Sequence, residues 1–216
     1  MDILEIMKSR HSVRQYTDKK IENDKRNVLD ELAKECNSQG DMNIQIIYDE
    51  PKCFGSVMAR YGKFSGCTNY IAVVGKSSND LDEKAGYYGE KLVLKAQELG
   101  LNTCWVAVTH GKCAASIQKG EKLAIIIALG YGANQGVEHK NKQLSDVCNH
   151  TDDVPEWFAK GMEAVMLAPT AMNQQKFKFT LNGDKVQAVS TGGFYSKIDL
   201  GIVKYHFETV SGYKVD

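Results

Sequence analysis

The sequence is poor in proline, with three residues in 216, and it holds only two tryptophans. It has no excess charge of either sign, since 27 basic side chains balance 27 acidic ones. A general nucleic-acid binder needs a basic surplus to displace counterions from phosphates, so that class is disfavoured. A small basic pocket for a single phosphate is not. Long apolar runs are missing too. The longest, Leu123 to Leu129, has seven residues, against roughly 20 for a membrane-spanning helix. Acids stand near the start, where a secretory leader would carry bases and an apolar block. The six cysteines, at 36, 53, 67, 104, 113 and 148, never form a Cys-x-x-Cys pair. That spacing argues against zinc and iron–sulfur sites and fits reduced thiols in a cytoplasmic protein. Three nucleotide or acyl-transfer signatures are absent: Gly-x-Gly-x-x-Gly after a strand, Gly-x-x-x-x-Gly-Lys-Ser/Thr, and Gly-x-Ser-x-Gly.

What remains is an ordinary globular composition, 43% hydrophobic and 25% charged, enough for a sizeable core without staples. Apolar periodicity predicts a short first helix that Asp2 can cap, and a second over about 23–39 with Val28, Leu29, Leu32, Ala33 and Cys36 inward. A third covers about 82–99. Strands are expected at 44–48, 70–74, 104–108 and 123–129, the last apolar on both faces and so central. A loop is expected over 51–69, a short helix near 114–119, and a polar connection over 132–150. Pro155 suits the start of a helix reaching about Ala168, with Trp157, Phe158, Met162, Val165 and Met166 inward. Asn182-Gly183 signals a hairpin. Ser196 with Asp199 can open the last helix as a capping box. The class is α+β: a central mixed β-sheet covered by helices. A helix-then-strand echo, 23–48 against 155–181, hints at a pseudo-duplicated chain: one domain over 1–216, with half-units 1–130 and 131–216.

Four segments could carry chemistry. In Arg10-His11-Ser12-Val13-Arg14, two guanidiniums, an imidazole and a hydroxyl suit a phosphate dianion. If extended, this segment puts Arg10, Ser12 and Arg14 on one side and His11 on the other; a solvated basic turn is the plainer alternative. Asn173-Gln174-Gln175 offers donors and acceptors for the edge of a heterocycle, or a turn whose amides satisfy backbone. Lys140 and Lys142 could approach an anion or simply line an exposed loop. In Tyr61-Gly62-Lys63 the glycine would let backbone approach a flat ligand while the ammonium reaches its rim. The scattered histidines show no ligand spacing, and no metal site is expected.

Taken together, these segments resemble the FMN-dependent nitroreductase family. The likeness covers Met1-Asp2-Ile3 through Tyr16, Ala96 to Val106, Leu129-Gly130-Tyr131-Gly132 with Lys140 to Ser145, and Ala168 to Phe177. The carboxamide segment lies in the C-terminal half here, and Thr170, Lys176 and Phe177 replace the Ser, Pro and Trp usual in the family. That order resembles a branch in which two half-units are fused in one chain. The resemblance implies that Arg10, His11 and Ser12 hold FMN phosphate and ribityl, with Arg14 beside them. Lys140 and Lys142 would add charge at the phosphate, and Lys63 would lie near the pyrimidine edge. Asn173 and Gln175 would contact ring or ribityl. The flavin would carry the chemistry with no catalytic side chain: hydride from NADH or NADPH through N5, then ping-pong transfer to a nitroaromatic, quinone or similar small acceptor. The implied assembly is a homodimer or a pseudo-dimeric monomer, without membrane or nucleic-acid partners. A flavin-binding carrier or sensor without turnover is the alternative, and a flavin-free scaffold for a protein partner is a third.

Overall fold

The computed structural model describes residues 2–150 and 152–216. In chain order the elements are α1 (Ile3–Ser9), α2 (Asn23–Gly40), β1 (Gln45–Ile47), α3 (Val57–Tyr61), β2 (Asn69–Lys76), α4 (Leu81–Glu98), β3 (Asn102–Val106), β4 (Glu121–Gly130), α5 (Leu144–Val147), α6 (Glu156–Met166), β5 (Phe177–Asn182), β6 (Lys185–Ser190) and α7 (Ser196–Ser211), with a turn of 3-10 helix at Ala171–Asn173. Two compact units form. A sheet unit comprises Arg10–Leu81 and Lys91–Val137; a terminal unit comprises Met1–Ser9, Asp82–Glu90 and Glu138–Asp216. Among the described residues, no helix is long and apolar enough to cross a membrane, and no disulfide joins the cysteines.

In the sheet unit, strand order is β1-β2-β4-β3. The apolar run of β4 therefore lies inside the sheet, as its pattern predicts, and Ile126, Ile127, Ala128 and Leu129 are fully buried. Register places Tyr70 opposite Ala128 and Ala72 opposite Ile126. On the other side of β4, Cys104 and Val106 meet the same two residues. The alternation collects Tyr70, Ala72, Val74, Cys104, Val106, Ile126 and Ala128 on one face, packed with Val13, Tyr16, Phe54 and Phe64. Each large side chain buried there contributes about 1.5–3 kcal/mol of transfer free energy. The four strands pair antiparallel throughout. A parallel component enters at the edge, where Ser12 bridges Thr103 of β3. Trp105 also lies on β3.

In the terminal unit, β5 and β6 form the hairpin. Asn182 pairs with Lys185, so the two-residue turn is Gly183-Asp184. Phe179, Phe158 and Phe207 are fully buried together, Phe207 lying 5.3 Å from Phe179 and 5.6 Å from Phe158. The first half of α4 meets α7 through two glycines. A Cβ on Gly86 would stand 2.0 Å from the Ile198 carbonyl oxygen, and one on Gly201 1.9 Å from that of Glu83. Beside this crossing, His206 on α7 bonds Ala164 O of α6 through Nδ1 (2.8 Å) and Glu90 of α4 through Nε2 (2.9 Å), with both side chains fully buried. Trp157, only half-buried, stacks on Tyr213 at 3.8 Å and 16°.

Several expectations are corrected. Val28 is 43% exposed; the buried stripe of α2 is Leu29, Ala33, Cys36 and Gly40. No helix forms over 114–119, because Ser116 is held by side chains instead: its N–H donates to Gln45 Oε1 and its carbonyl accepts from Gln45 Nε2. The loop over 51–69 contains α3, started by Ser56, whose hydroxyl accepts from the Ala59 N–H at 3.1 Å. The connection over 132–150 contains α5, closed by a Gln143–Asp146 capping box. Met166, like Trp157, is half-buried rather than inward. The Ser196–Asp199 box does not form. Tyr195, in the left-handed region, is the N-cap of α7 without a side-chain cap, and Asp199 bonds elsewhere.

Candidate functional site

The structure resolves the predicted residues into two groups, each within one unit. In the sheet unit, the chain from Arg10 runs extended along the sheet edge. Val13 N–H donates to Thr103 O (3.0 Å), Ser65 N–H to Arg14 O (3.0 Å), Tyr16 N–H to Ser65 O (2.9 Å) and Thr17 N–H to Tyr131 O (2.8 Å). The segment is thus bonded to β3, to the loop after α3 and to the turn after β4, and its backbone has little freedom left. Tyr131 is itself tied to the start of α2, its hydroxyl donating to Glu22 and accepting from Lys25 Nζ at 2.8 Å. The Tyr131 bond, more than the Lys19 ammonium, holds the Glu22 carboxyl down at about 2.

The segment runs beside β3, where Ser12 bridges Thr103. Burial pushes the Cys104 thiol up, against the lowering influence of Arg14, Ser12 and Arg10 near it. His11 packs against Gly136, where an added Cβ would lie 2.8 Å from the His11 Cβ. Arg10 is 3% exposed, whereas Arg14 is exposed. Two guanidiniums and a hydroxyl on alternate residues of a fixed backbone are donors of the kind that a phosphate dianion takes. Lys63 is exposed and left-handed (φ 64°). Its N–H donates to Arg60 O at 2.9 Å and its carbonyl accepts from Gln15 Nε2 at 2.9 Å, so the loop carrying it is tied to the same segment.

In the terminal unit, Asn173, Gln175, Lys140 and Lys142 come together. Asn173 Nδ2 donates to Lys140 O at 2.7 Å, and Gln175 Nε2 to the same oxygen at 2.9 Å. Gln175 Oε1 accepts from Lys142 N–H at 3.0 Å, and Lys142 Nζ reaches Gln175 O at 3.1 Å. Gln174 turns the other way, to Phe194 O and Asp199 Oδ2, both at 2.7 Å. The carboxamides thus bond protein partners, and chiefly fix the backbone of the lysine loop. Met172, Asn173 and Gln175 all have positive φ (51°, 54° and 46°), a conformation that non-glycine residues keep only when their surroundings enforce it.

Sequence reasoning missed one member of this second group. Asp199 is 2% exposed and accepts from Ala171 N–H at 2.8 Å as well as from Gln174. Burial raises its carboxyl to about 6, against the lowering effect of those two bonds. Its native pKa stands above its ordinary value, so its protonation stabilises the fold below about pH 4. That contribution is lost as pH rises through 6. The signal for Asp199 in the sequence was its position three residues after Ser196, which reads as a cap.

An antiparallel sheet with helices around it and a basic segment laid along its edge strand defines a nitroreductase-like fold. The chain belongs to the nitroreductase family described as "Putative TM nitroreductase", whose profile matches residues 2–211, and so stands among oxidoreductases. It is similar to a "putative nitroreductase" from Thermotoga maritima, with 22% identity, a TM-score of 0.70, and coverage of 97% of this chain and 83% of that one. A "putative nitroreductase in complex with FMN" from Desulfovibrio desulfuricans is 20% identical, with a TM-score of 0.56, over 72% of this chain and 99% of its own. A "Putative NADH dehydrogenase/NAD(P)H nitroreductase" from Bacteroides thetaiotaomicron is 20% identical, with a TM-score of 0.54, over 70% and 98%. No curated protein matches this sequence.

Proposed function

We propose that the protein is an FMN-dependent NAD(P)H oxidoreductase that reduces nitroaromatic, quinone or similar small acceptors. The observation that carries this reading is the Arg10–Arg14 segment, with its two guanidiniums and a hydroxyl, held by backbone bonds along β3. The FMN named with the Desulfovibrio desulfuricans relative supports it. Bound FMN would supply the hydride-accepting and hydride-donating centre. Arg10, Ser12 and Arg14 bind its phosphate, with His11 on the ribityl side, and Lys140 and Lys142 add positive charge. Lys63 favours negative charge at the pyrimidine edge, and Asn173 and Gln175 serve ring or ribityl. No side-chain acid or nucleophile is needed; the chain's work is to orient and to set the local potential. The chain is also read as two fused half-units, supported by the succession of α2 and β1 in one unit and of α6 and β5 in the other.

The test is a visible spectrum of the protein with added FMN, followed by NADH or NADPH without oxygen. Bleaching of the oxidised-flavin bands is expected, and the faster donor identifies the coenzyme. An unbleached flavin spectrum would instead assign a carrier or sensor. Arg10→Ala should weaken FMN binding about 100-fold, the equivalent of roughly 3 kcal/mol for a charged bidentate contact. Arg14→Ala, at an exposed position that cannot harm the core, should weaken it about tenfold. Unchanged FMN affinity in both variants would sink the phosphate assignment.

A further inference from the structure

We propose that Asp199 is the positioning residue of the lysine loop: from the first turns of α7 its carboxylate clamps the 171–175 arc, and the arc fixes residues 140–142 and with them the affinity for the FMN phosphate. The inference rests on the flavin reading above. Its geometry lies wholly within the terminal unit. The carboxylate holds the arc at two points, Ala171 N–H and the Gln174 side chain, on either side of Met172 and Asn173. Those two residues and Gln175 are the left-handed ones, so the arc relaxes to ordinary backbone once its clamps are gone. Gln175 N–H is further tied to Thr170 Oγ1 at 3.1 Å. Downstream, Asn173 and Gln175 make three bonds to the backbone of Lys140 and Lys142. A path of side-chain hydrogen bonds therefore runs from Asp199 to both lysines. Burial works against the charge of Asp199, so the carboxylate holds the arc at a desolvation cost.

Asp199→Asn should separate these roles. It removes the buried charge, and it puts an N–H where the arc needs an acceptor. Backbone hydrogen exchange should accelerate at Ala171 and Lys142 while the rest of the terminal unit keeps its protection and the thermal midpoint stays close to the parent value. FMN should bind about tenfold more weakly, because oriented charge at the phosphate is lost. Riboflavin, which has no phosphate, should change by less than about twofold. Gln174→Ala removes one clamp and leaves Asp199 in place; it should shift FMN binding the same way by a smaller factor, and it serves if Asp199→Asn does not fold. Equal loss of FMN and riboflavin affinity would mark general damage and overturn the proposal, as would unchanged exchange at Lys142. Failure of the parent protein to bind FMN would instead overturn the flavin reading, and the phosphate role of the loop with it, while the exchange data still decide whether Asp199 holds the arc.

Discussion

Glu90→Ala is expected to lower the unfolding free energy by about 3–5 kcal/mol, the usual cost of leaving one member of a buried polar pair without its partner. The geometry leaves little room for compensation. His206 Nδ1 faces a carbonyl oxygen, Ala164 O, and must carry a proton. Its Nε2 then meets Glu90 Oε1 at 2.9 Å, either as an imidazolium with a carboxylate or as a neutral ring accepting from the acid. Both side chains are fully buried, so no water takes the place of the deleted carboxyl. Glu90→Gln keeps a group of the same shape that can donate to the ring, and should cost much less. Replacing both residues by leucine should recover part of the loss, since neither member is then left buried without the other. Urea denaturation followed by far-UV circular dichroism measures all three. A loss below about 1 kcal/mol for Glu90→Ala would show that this pair does not pin α4, α6 and α7 together.

The second large effect comes from a residue with no side chain. Gly201→Ala places a methyl 1.9 Å from the Glu83 carbonyl oxygen and 2.7 Å from the Tyr87 nitrogen. These are helical backbone atoms, so no rotamer change relieves the clash and α4 and α7 must move apart. A cost of about 3 kcal/mol or more follows, at the upper end of ordinary overpacking. Gly86→Ala meets the Ile198 oxygen at 2.0 Å across the same crossing and should cost a similar amount. The double variant should cost clearly less than the sum, because one separation makes room for both methyls. Thermal midpoints of the four proteins settle it; strict additivity would mean that the two glycines act at independent sites.

How much of this was readable in the sequence depends on whether the signal was local. The central place of β4 was legible because a run such as Leu123 to Leu129 is stable as a strand only where both faces are covered. The hairpin was legible from Asn182-Gly183, although the turn slipped by one residue to Gly183-Asp184. Non-local matters were hidden. Asp199 resembles a capping residue until the fold brings Ala171 and Gln174 to it. The expected helix over 114–119 failed because Gln45, some seventy residues earlier in the chain, supplies the bonds that its backbone would otherwise make. The left-handed backbone at Gln175 left no mark in composition, whereas Asn173 is of a residue type that adopts it more readily than most.

The two tryptophans, few as they are, fall one to a unit. Trp105 lies on β3 of the sheet unit, and Trp157 stacks on Tyr213 in the terminal unit. Indole emission therefore carries two separable optical labels that nature has already installed. With Trp157 replaced by phenylalanine, fluorescence follows the sheet unit alone; with Trp105 replaced, it follows the terminal unit alone. Coincident melting curves from the two proteins would describe a single cooperative molecule, and staggered curves would describe two units that open in turn.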